Sequence, residues 1–309
     1  MKERHILNIF PNHIREKFIT VADQADELRE IRLTAQQPVR VFMKNGEFFL
    51  SCRGVPEKEA SNEVWKITSG EVEQILNHIC NYSRYAYEED IRHGFITVPG
   101  GHRIGMAGQV ILDEKGQVKN IKYIRCLNIR ISHEIIGAAD GLLPFVHQNK
   151  EILNTLLIAP PGCGKTTMLR DLIRQISEGS SYAPGRQVGV VDERSEIAGS
   201  YLGIPGNRLG IRTDVLDACP KAEGMMMLLR SMSPQVVAVD EIGSREDLQA
   251  LSLILQSGCK VIATMHGKSM EDVKKKEACI FDRFVFLGKQ NGKCMLQKVV
   301  GKDGKVLYG

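Results

Sequence analysis

Over roughly the first 130 residues, apolar and polar positions alternate in short runs; beyond that, solid apolar runs take turns with helical periods. In the first stretch, residues 30–33, 39–43 and 48–50 follow the two-residue period of half-buried strands, with Asn45-Gly46 marking a hairpin turn. Thr68 and Glu71 have capping-box spacing, and Val72, Ile75, Leu76 and Ile79 then line one helical face. Residues 95–98 and 104–112 flank the turn at Pro99-Gly100-Gly101, and residues 121–124 and 127–131 continue the strand pattern. These elements predict a small α+β domain over residues 1–140. Residues 135–140, with Gly137 and Gly141, read as its junction to a second domain over 141–309, entered through a helix at 141–150.

In the second stretch, apolar runs at 153–158, 187–191, 236–239 and 260–264 read as buried strands. They alternate with helical patterns after Lys165, at 221–232 and at 245–256. Strands alternating with helices imply a doubly wound, mostly parallel sheet, whose ligands lie beyond the carboxyl ends of the strands. The polar constellations of this half all fall at those ends.

The first of them is Ala159-Pro160-Pro161-Gly162-Cys163-Gly164-Lys165-Thr166-Thr167, between a strand and a helix. Glycines there let backbone N–H groups face phosphates, and the helix N-terminus adds partial positive charge. Ala159 stands where the first glycine of a phosphate-binding loop usually is, a small residue for a small residue. Pro161, Gly162, Cys163, Gly164, Lys165, Thr166 and Thr167 are the expected nucleotide-binding set, with Lys165 on the β- and γ-phosphates and Thr166 on Mg²⁺. Cys163, at a helix N-terminus, is expected to be a reactive thiol that ATP protects.

Asp240, after the run 236–239, is placed to share the Mg²⁺ with Thr166, and Glu241 to orient or deprotonate the attacking water. A carboxylate pair points to hydrolysis more than to small-molecule phosphorylation. Glu193, at another strand end, either helps organise Mg²⁺ and water or joins a surface ion-pair network with Arg194 and Glu196. His266, after Thr264, is placed to sense the γ-phosphate. The base-reading Asn-Lys-x-Asp of GTPases is absent, since Ile152 follows Asn149-Lys150-Glu151.

Composition narrows the class. Of 309 residues, 41 are basic and 37 acidic, a net charge of +4, which is weak for a nucleic-acid binder. No apolar run approaches the roughly 18 residues of a membrane-spanning helix, and Met1-Lys2-Glu3-Arg4-His5 leads into no signal-peptide core. The eight cysteines form no Cys-x-x-Cys pair, so reduced thiols in a cytoplasmic protein are expected, with neither zinc nor disulfides. Tyr82, Tyr85 and Tyr87 beside Arg84 read as packing a helix end against the sheet before a nucleic-acid stacking surface, and Lys274-Lys275-Lys276 as a solvated helix face before a membrane-attracted one.

Residues 159–167, together with Val-Val-Asp-Glu-Arg-Ser-Glu-Ile (190–197), the run through Val-Asp-Glu-Ile (229–242) and Ala-Thr-Met-His-Gly (263–267), resemble the type II/type IV secretion and pilus-motor ATPase superfamily, most closely its sporulation branch. Residues 30–41 are similar to the start of those motors' N-terminal domain. The resemblance implies a RecA-like P-loop ATPase domain, and places Glu193 on the acidic-box carboxylate and His266 on the histidine box. It further implies a homo-hexameric ring with ATP and Mg²⁺ between subunits. Arg103 and Arg130 are the candidates to complete a site from the N-terminal domain. The ring would dock on membrane-embedded channel proteins at the cytoplasmic face, on the mother-cell side during endospore formation. Where many of those motors have Gly-Glu, this chain has Asp240-Glu241, which makes the Mg²⁺ shell more conventional. A nucleic-acid translocase and a scaffold that binds ATP with little hydrolysis are the alternatives.

Overall fold

Ile6, Phe10, Ile14 and Phe18 recur at near-helical spacing ahead of the first strand, and all four are buried. They lie on or beside short helices α1 (Lys2–Leu7), α2 (Asn12–Arg15) and α3 (Ile19–Ala22), where the rings of Phe10 and Phe18 stack. In this computed structural model, which describes residues 2–61, 63–290 and 293–309, these helices belong to the first of two units. The units comprise residues 1–133 with 199–206, and 134–198 with 207–309.

The first unit continues with β1 (Leu28–Thr34), β2 (Arg40–Met43), β3 (Gly46–Leu50), β4 (Pro56–Glu57), α4 (Ser69–Ile79), α5 (Glu88–His93), β5 (Phe95–Val98), β6 (His102–Leu112) and β7 (Val118–Arg130). The strands form one antiparallel sheet ordered β4-β3-β2-β1-β7-β6-β5. Met43 pairs with Gly46, so the β2–β3 turn is Lys44-Asn45. Thr68 caps α4 in a capping box with Glu71, and Val72, Ile75, Leu76 and Ile79 are buried. The two strands expected at 121–124 and 127–131 are one strand, β7, interrupted by a bulge where Ala107 pairs with Cys126 but Gln109 with Lys122. Tyr123 takes φ 46° there, and a Cβ on Gly108 would lie 2.6 Å from the Lys122 carbonyl oxygen. The tyrosines correct their sequence reading: Tyr82 and Tyr85 are 77% and 87% exposed, and only Tyr87 is partly buried, its hydroxyl 3.3 Å from that of Tyr201.

In the second unit, the helix expected at 141–150 is a single turn, α6 (Leu143–Val146), followed by the hairpin of β8 (His147–Gln148) and β9 (Glu151–Ile152). Asn149 and Lys150 have φ of 51° and 65°, left-handed values that a helix cannot continue through. Next come β10 (Thr155–Ala159), α7 (Lys165–Glu178), β11 (Val188–Asp192), β12 (Thr213–Asp217), α8 (Lys221–Ser231), β13 (Val236–Val239), α9 (Arg245–Gln256), β14 (Lys260–His266), α10 (Met270–Lys275), β15 (Arg283–Gln290), β16 (Lys293–Gly301) and β17 (Val306–Tyr308). The sheet order is β12-β11-β13-β14-β10-β15-β16-β17, parallel up to β15 and antiparallel beyond it. Every residue of β10, β11 and β13 is buried, as parallel strands covered on both faces must be. Leu169, Leu172 and Ile173 of α7 pack on one face with Leu157, Val190 and Val285. Residues of α8, α9 and α10 cover the other face with Ile158, Val237 and Val261.

Candidate active site

The sheet delivers β10, β11, β13 and β14 to one edge in parallel, so Ala159, Asp192, Asp240 and His266 emerge at the same carboxyl end. Gly162 and Gly164 take φ of 69° and 86° in the loop after β10, turning its backbone sharply before α7 begins at Lys165. That puts the N-terminus of a 14-residue helix at the sheet edge, where its free N–H groups suit a phosphate.

Lys165 is 4% exposed. Its Nζ donates to the carbonyl oxygens of Ala159 and Pro160, at 3.2 Å each, and meets His266 Nδ1 at 2.9 Å. Burial pulls its pKa below the usual lysine value, against the opposing charges of Glu241 and Asp240. An ammonium can only donate, so Nδ1 of His266 accepts and Nε2–H points outward. That atom lies 2.8 Å from Glu241 Oε1, and the other Glu241 oxygen accepts from Arg194 at 2.9 Å. The result is a continuous chain from Lys165 through His266 and Glu241 to Arg194. Glu241 itself holds φ 53°, a left-handed conformation uncommon for a non-glycine residue. Its N–H is fixed by Thr264 Oγ1 at 2.8 Å, and the same hydroxyl donates to Asp240. The remaining Asp240 oxygen accepts from Thr166 Oγ1 at 2.6 Å. Thr166 and Asp240, the expected Mg²⁺ pair, therefore stand in direct contact. A hydroxyl and a carboxylate at a phosphate-loop helix are the donors that a hard, partly hydrated cation uses.

Glu193 is not in the ion-pair network with Arg194 and Glu196 that its sequence neighbours suggest. It faces the same small cleft as Asp240 and Glu241, but its carboxylate is paired with Lys221 of α8. Cys163 is only 9% exposed and packs in the core near Cys294, so little of the thiol expected to react is open to solvent. Pro161 and Thr167 lie where the sequence places them, in the loop and in the first turn of α7. Arg103 and Arg130 are in the first unit, directly opposite each other on β6 and β7, with the Arg103 guanidinium over the ring of Phe95 at 3.4 Å.

Sequence reasoning missed three residues. Arg194 adjoins Glu193 in sequence, but the turn after β11 directs it to Glu241. Asp192, 2% exposed, accepts the N–H groups of Glu196, Ile197 and Ala198 at 2.8–3.0 Å. Arg170 of α7 donates to the carbonyls of Ile197 and Glu196 at 2.8 and 2.7 Å. Together these two brace the loop carrying Glu193 and Arg194 against the phosphate-loop helix. Asp192 does so at a cost: burial, partly offset by those N–H groups, raises its pKa to about 6. Its contribution to stability is thus greatest at low pH and is lost as pH rises through about 6. Relative to Asp192→Asn, the wild type is expected to lose about 2 kcal/mol of unfolding free energy between pH 4.5 and 7.5. Urea unfolding of both proteins at the two pH values measures this; a constant difference would exclude it.

Comparison with known proteins adds the lineage. Residues 1–307 match the family model described as Sporulation stage III, protein AA. The chain belongs to that family. It is 41% identical over 310 residues to stage III sporulation protein AA of Bacillus subtilis (strain 168), covering 98% of this chain and 96% of the relative. Among solved structures, the fold of this sporulation-family chain is similar to the Legionella pneumophila ATPase DotB, with a TM-score of 0.60 at 14% identity over 95% of this chain and 82% of that one. It is likewise similar to the pilus retraction motor PilT with bound ADP, with a TM-score of 0.59 at 16% identity over 91% and 81%. The second unit is thus a RecA-like P-loop fold. Among the described residues, no helix is long and apolar enough to cross a membrane.

Proposed function

We propose that this sporulation-family protein is an ATP-hydrolysing motor that works as a ring, a homo-hexamer by its likeness to secretion ATPases, and energises a membrane-embedded channel complex during endospore formation. The observation that carries the reading is the chain Lys165–His266–Glu241 beside the Thr166–Asp240 contact, all at the N-terminus of α7. It supplies a cation for the phosphates, a metal-holding pair and a carboxylate held over the place where a γ-phosphate would end.

In this reading, ATP draws Lys165 Nζ from the Ala159 and Pro160 carbonyls onto the β- and γ-phosphates. Thr166 and Asp240 would hold Mg²⁺, which would supply neutralising charge for the phosphate oxygens. Glu241 then orients a water and takes its proton as the water oxygen bonds to the γ-phosphorus and the bond to the β,γ-bridging oxygen breaks, giving ADP and phosphate. His266 joins Lys165 to Glu241, so the departure of the γ-phosphate is felt at both ends. Glu193 borders the same cleft and would support the water side. Arg103 and Arg130 of the N-terminal domain (residues 1–140) would neutralise transition-state charge in an adjoining ATPase domain (141–309). Hydrolysis then changes the relation of the two domains, and the membrane partner takes up the movement at its cytoplasmic face, on the mother-cell side. No nucleic acid is required.

The test is ATP hydrolysis per subunit measured against protein concentration, with Lys165→Ala as the blank. The rate per subunit is expected to rise with concentration as subunits complete one another's sites, and the variant to stay at background. A rate that is flat and monomeric by size measurement would remove the ring. Wild-type protein that binds ATP but never exceeds the blank, even with its membrane partner present, would remove the motor.

A further inference from the structure

We propose that Lys289, near the end of β15, is a further nucleotide-binding residue: a second cation, serving the α-phosphate side of a bound nucleoside di- or triphosphate. The inference rests on the phosphate-loop reading above and extends it to the opposite flank of the loop. In the sheet, β10 lies between β14 and β15. Asp240, Glu241 and His266 all lie on the β13–β14 side, which is where the γ-phosphate must end. The α-phosphate and nucleoside then extend the other way, toward β15 and β16.

The strand register brings Lys289 to that flank. Phe286 is level with Ile158 of β10, so Lys289, three residues on, stands about 10 Å further along, beside the loop rather than the strand. Its face is fixed as well. Val285 and Leu287 pack in the core beneath α7, and residues two apart share a face, so Lys289 is on the α7 side. Its cross-strand partner is Cys294, whose Cβ and Sγ lie 2.9 and 3.3 Å from where a Cβ on Gly164 would be. The β15–β16 hairpin is therefore seated on the phosphate loop itself. Directly paired across the two strands, Lys289 and Cys294 share one face of the sheet, so Lys289 stands on the side of the thiol that adjoins Gly164. Lys289 is exposed, and no carboxylate among the described residues pairs with it. Lys165, by contrast, is buried and already engaged by the loop carbonyls and His266.

Isothermal titration of the full chain with ADP, in the presence of Mg²⁺, tests the assignment. Lys289→Ala is expected to bind ADP about tenfold more weakly than wild type, and Lys289→Arg to stay within about threefold. Melting temperatures without ligand report whether the variants fold. Equal ADP affinity of wild type and Lys289→Ala would overturn the proposal, and so would a loss in Lys289→Arg as large as that in Lys289→Ala. A wild type that binds no ADP would instead bring down the phosphate-loop reading, and this assignment with it.

Discussion

Glu241→Gln is expected to bind ATP within about threefold of wild type and to hydrolyse it at least a hundredfold more slowly, the range lost when a positioned general base is removed. Glutamine preserves the size of the side chain and can still accept from His266 Nε2. It cannot take a proton from water, and its amide nitrogen would face the Arg194 guanidinium, now 2.9 Å from the carboxylate. The backbone is the less forgiving part. Glu241 sits at φ 53°, held by its N–H bond to Thr264 Oγ1 and linked through that hydroxyl to Asp240, so its position is set by strand β14 and not by a flexible loop. Single-turnover hydrolysis with labelled ATP, alongside equilibrium binding, separates the two quantities. A variant keeping more than half the wild-type rate would take the base assignment away from Glu241.

The largest expected stability change is at Asp171, in the middle of α7. Its carboxylate accepts the N–H of Gly137 at 3.1 Å and of Ala139 at 2.8 Å, along with Arg174 and Gln175. Burial raises its pKa, but the Ala139 N–H, Arg174, Gln175 and Gly137 overcome that and hold it below the usual aspartate value. Asp171→Ala leaves two backbone donors without their acceptor and takes from Arg174 its more buried partner, leaving it Glu178 at 2.7 Å, a loss of about 3 kcal/mol. Urea unfolding followed by circular dichroism reads it. A loss under about 1 kcal/mol would mean that water replaces the carboxylate and that the segment at 137–139 is not anchored to α7 through this side chain.

The reach of the sequence varied with how local each signal was. The capping box at Thr68 and Glu71, the buried runs of β10, β11 and β13, and the turn from β10 into α7 depend on residues a few positions apart, and each has a periodic or steric signature. The α1–α3 segment is not legible as helices because the near-helical row Ile6, Phe10, Ile14 and Phe18 is spread over several short helices and the turns between them, so no one helix carries the period; the stacking of Phe10 on Phe18 is tertiary. Strand β12, at the edge of the sheet and half-buried along its length, lacks a clean apolar run, and the hairpin of β15 and β16 was not read at all. Within the site, residue types at strand ends were legible and their pairings were not. Arg194 reaches across from β11 to the end of β13, a neighbour only because the sheet order places those two strands side by side. Lys221 captures Glu193 from a helix 28 positions away.

Lys165 rests on its own loop's carbonyls and on His266, Thr166 on Asp240, and Glu241 between His266 and Arg194. These groups, proposed to take nucleotide and metal, are satisfied by one another, so the site is a closed circuit and not an open socket. Each arriving phosphate contact must displace an existing bond, and only the difference appears as affinity. On the proposed reading, such a site exchanges tight binding for easy release.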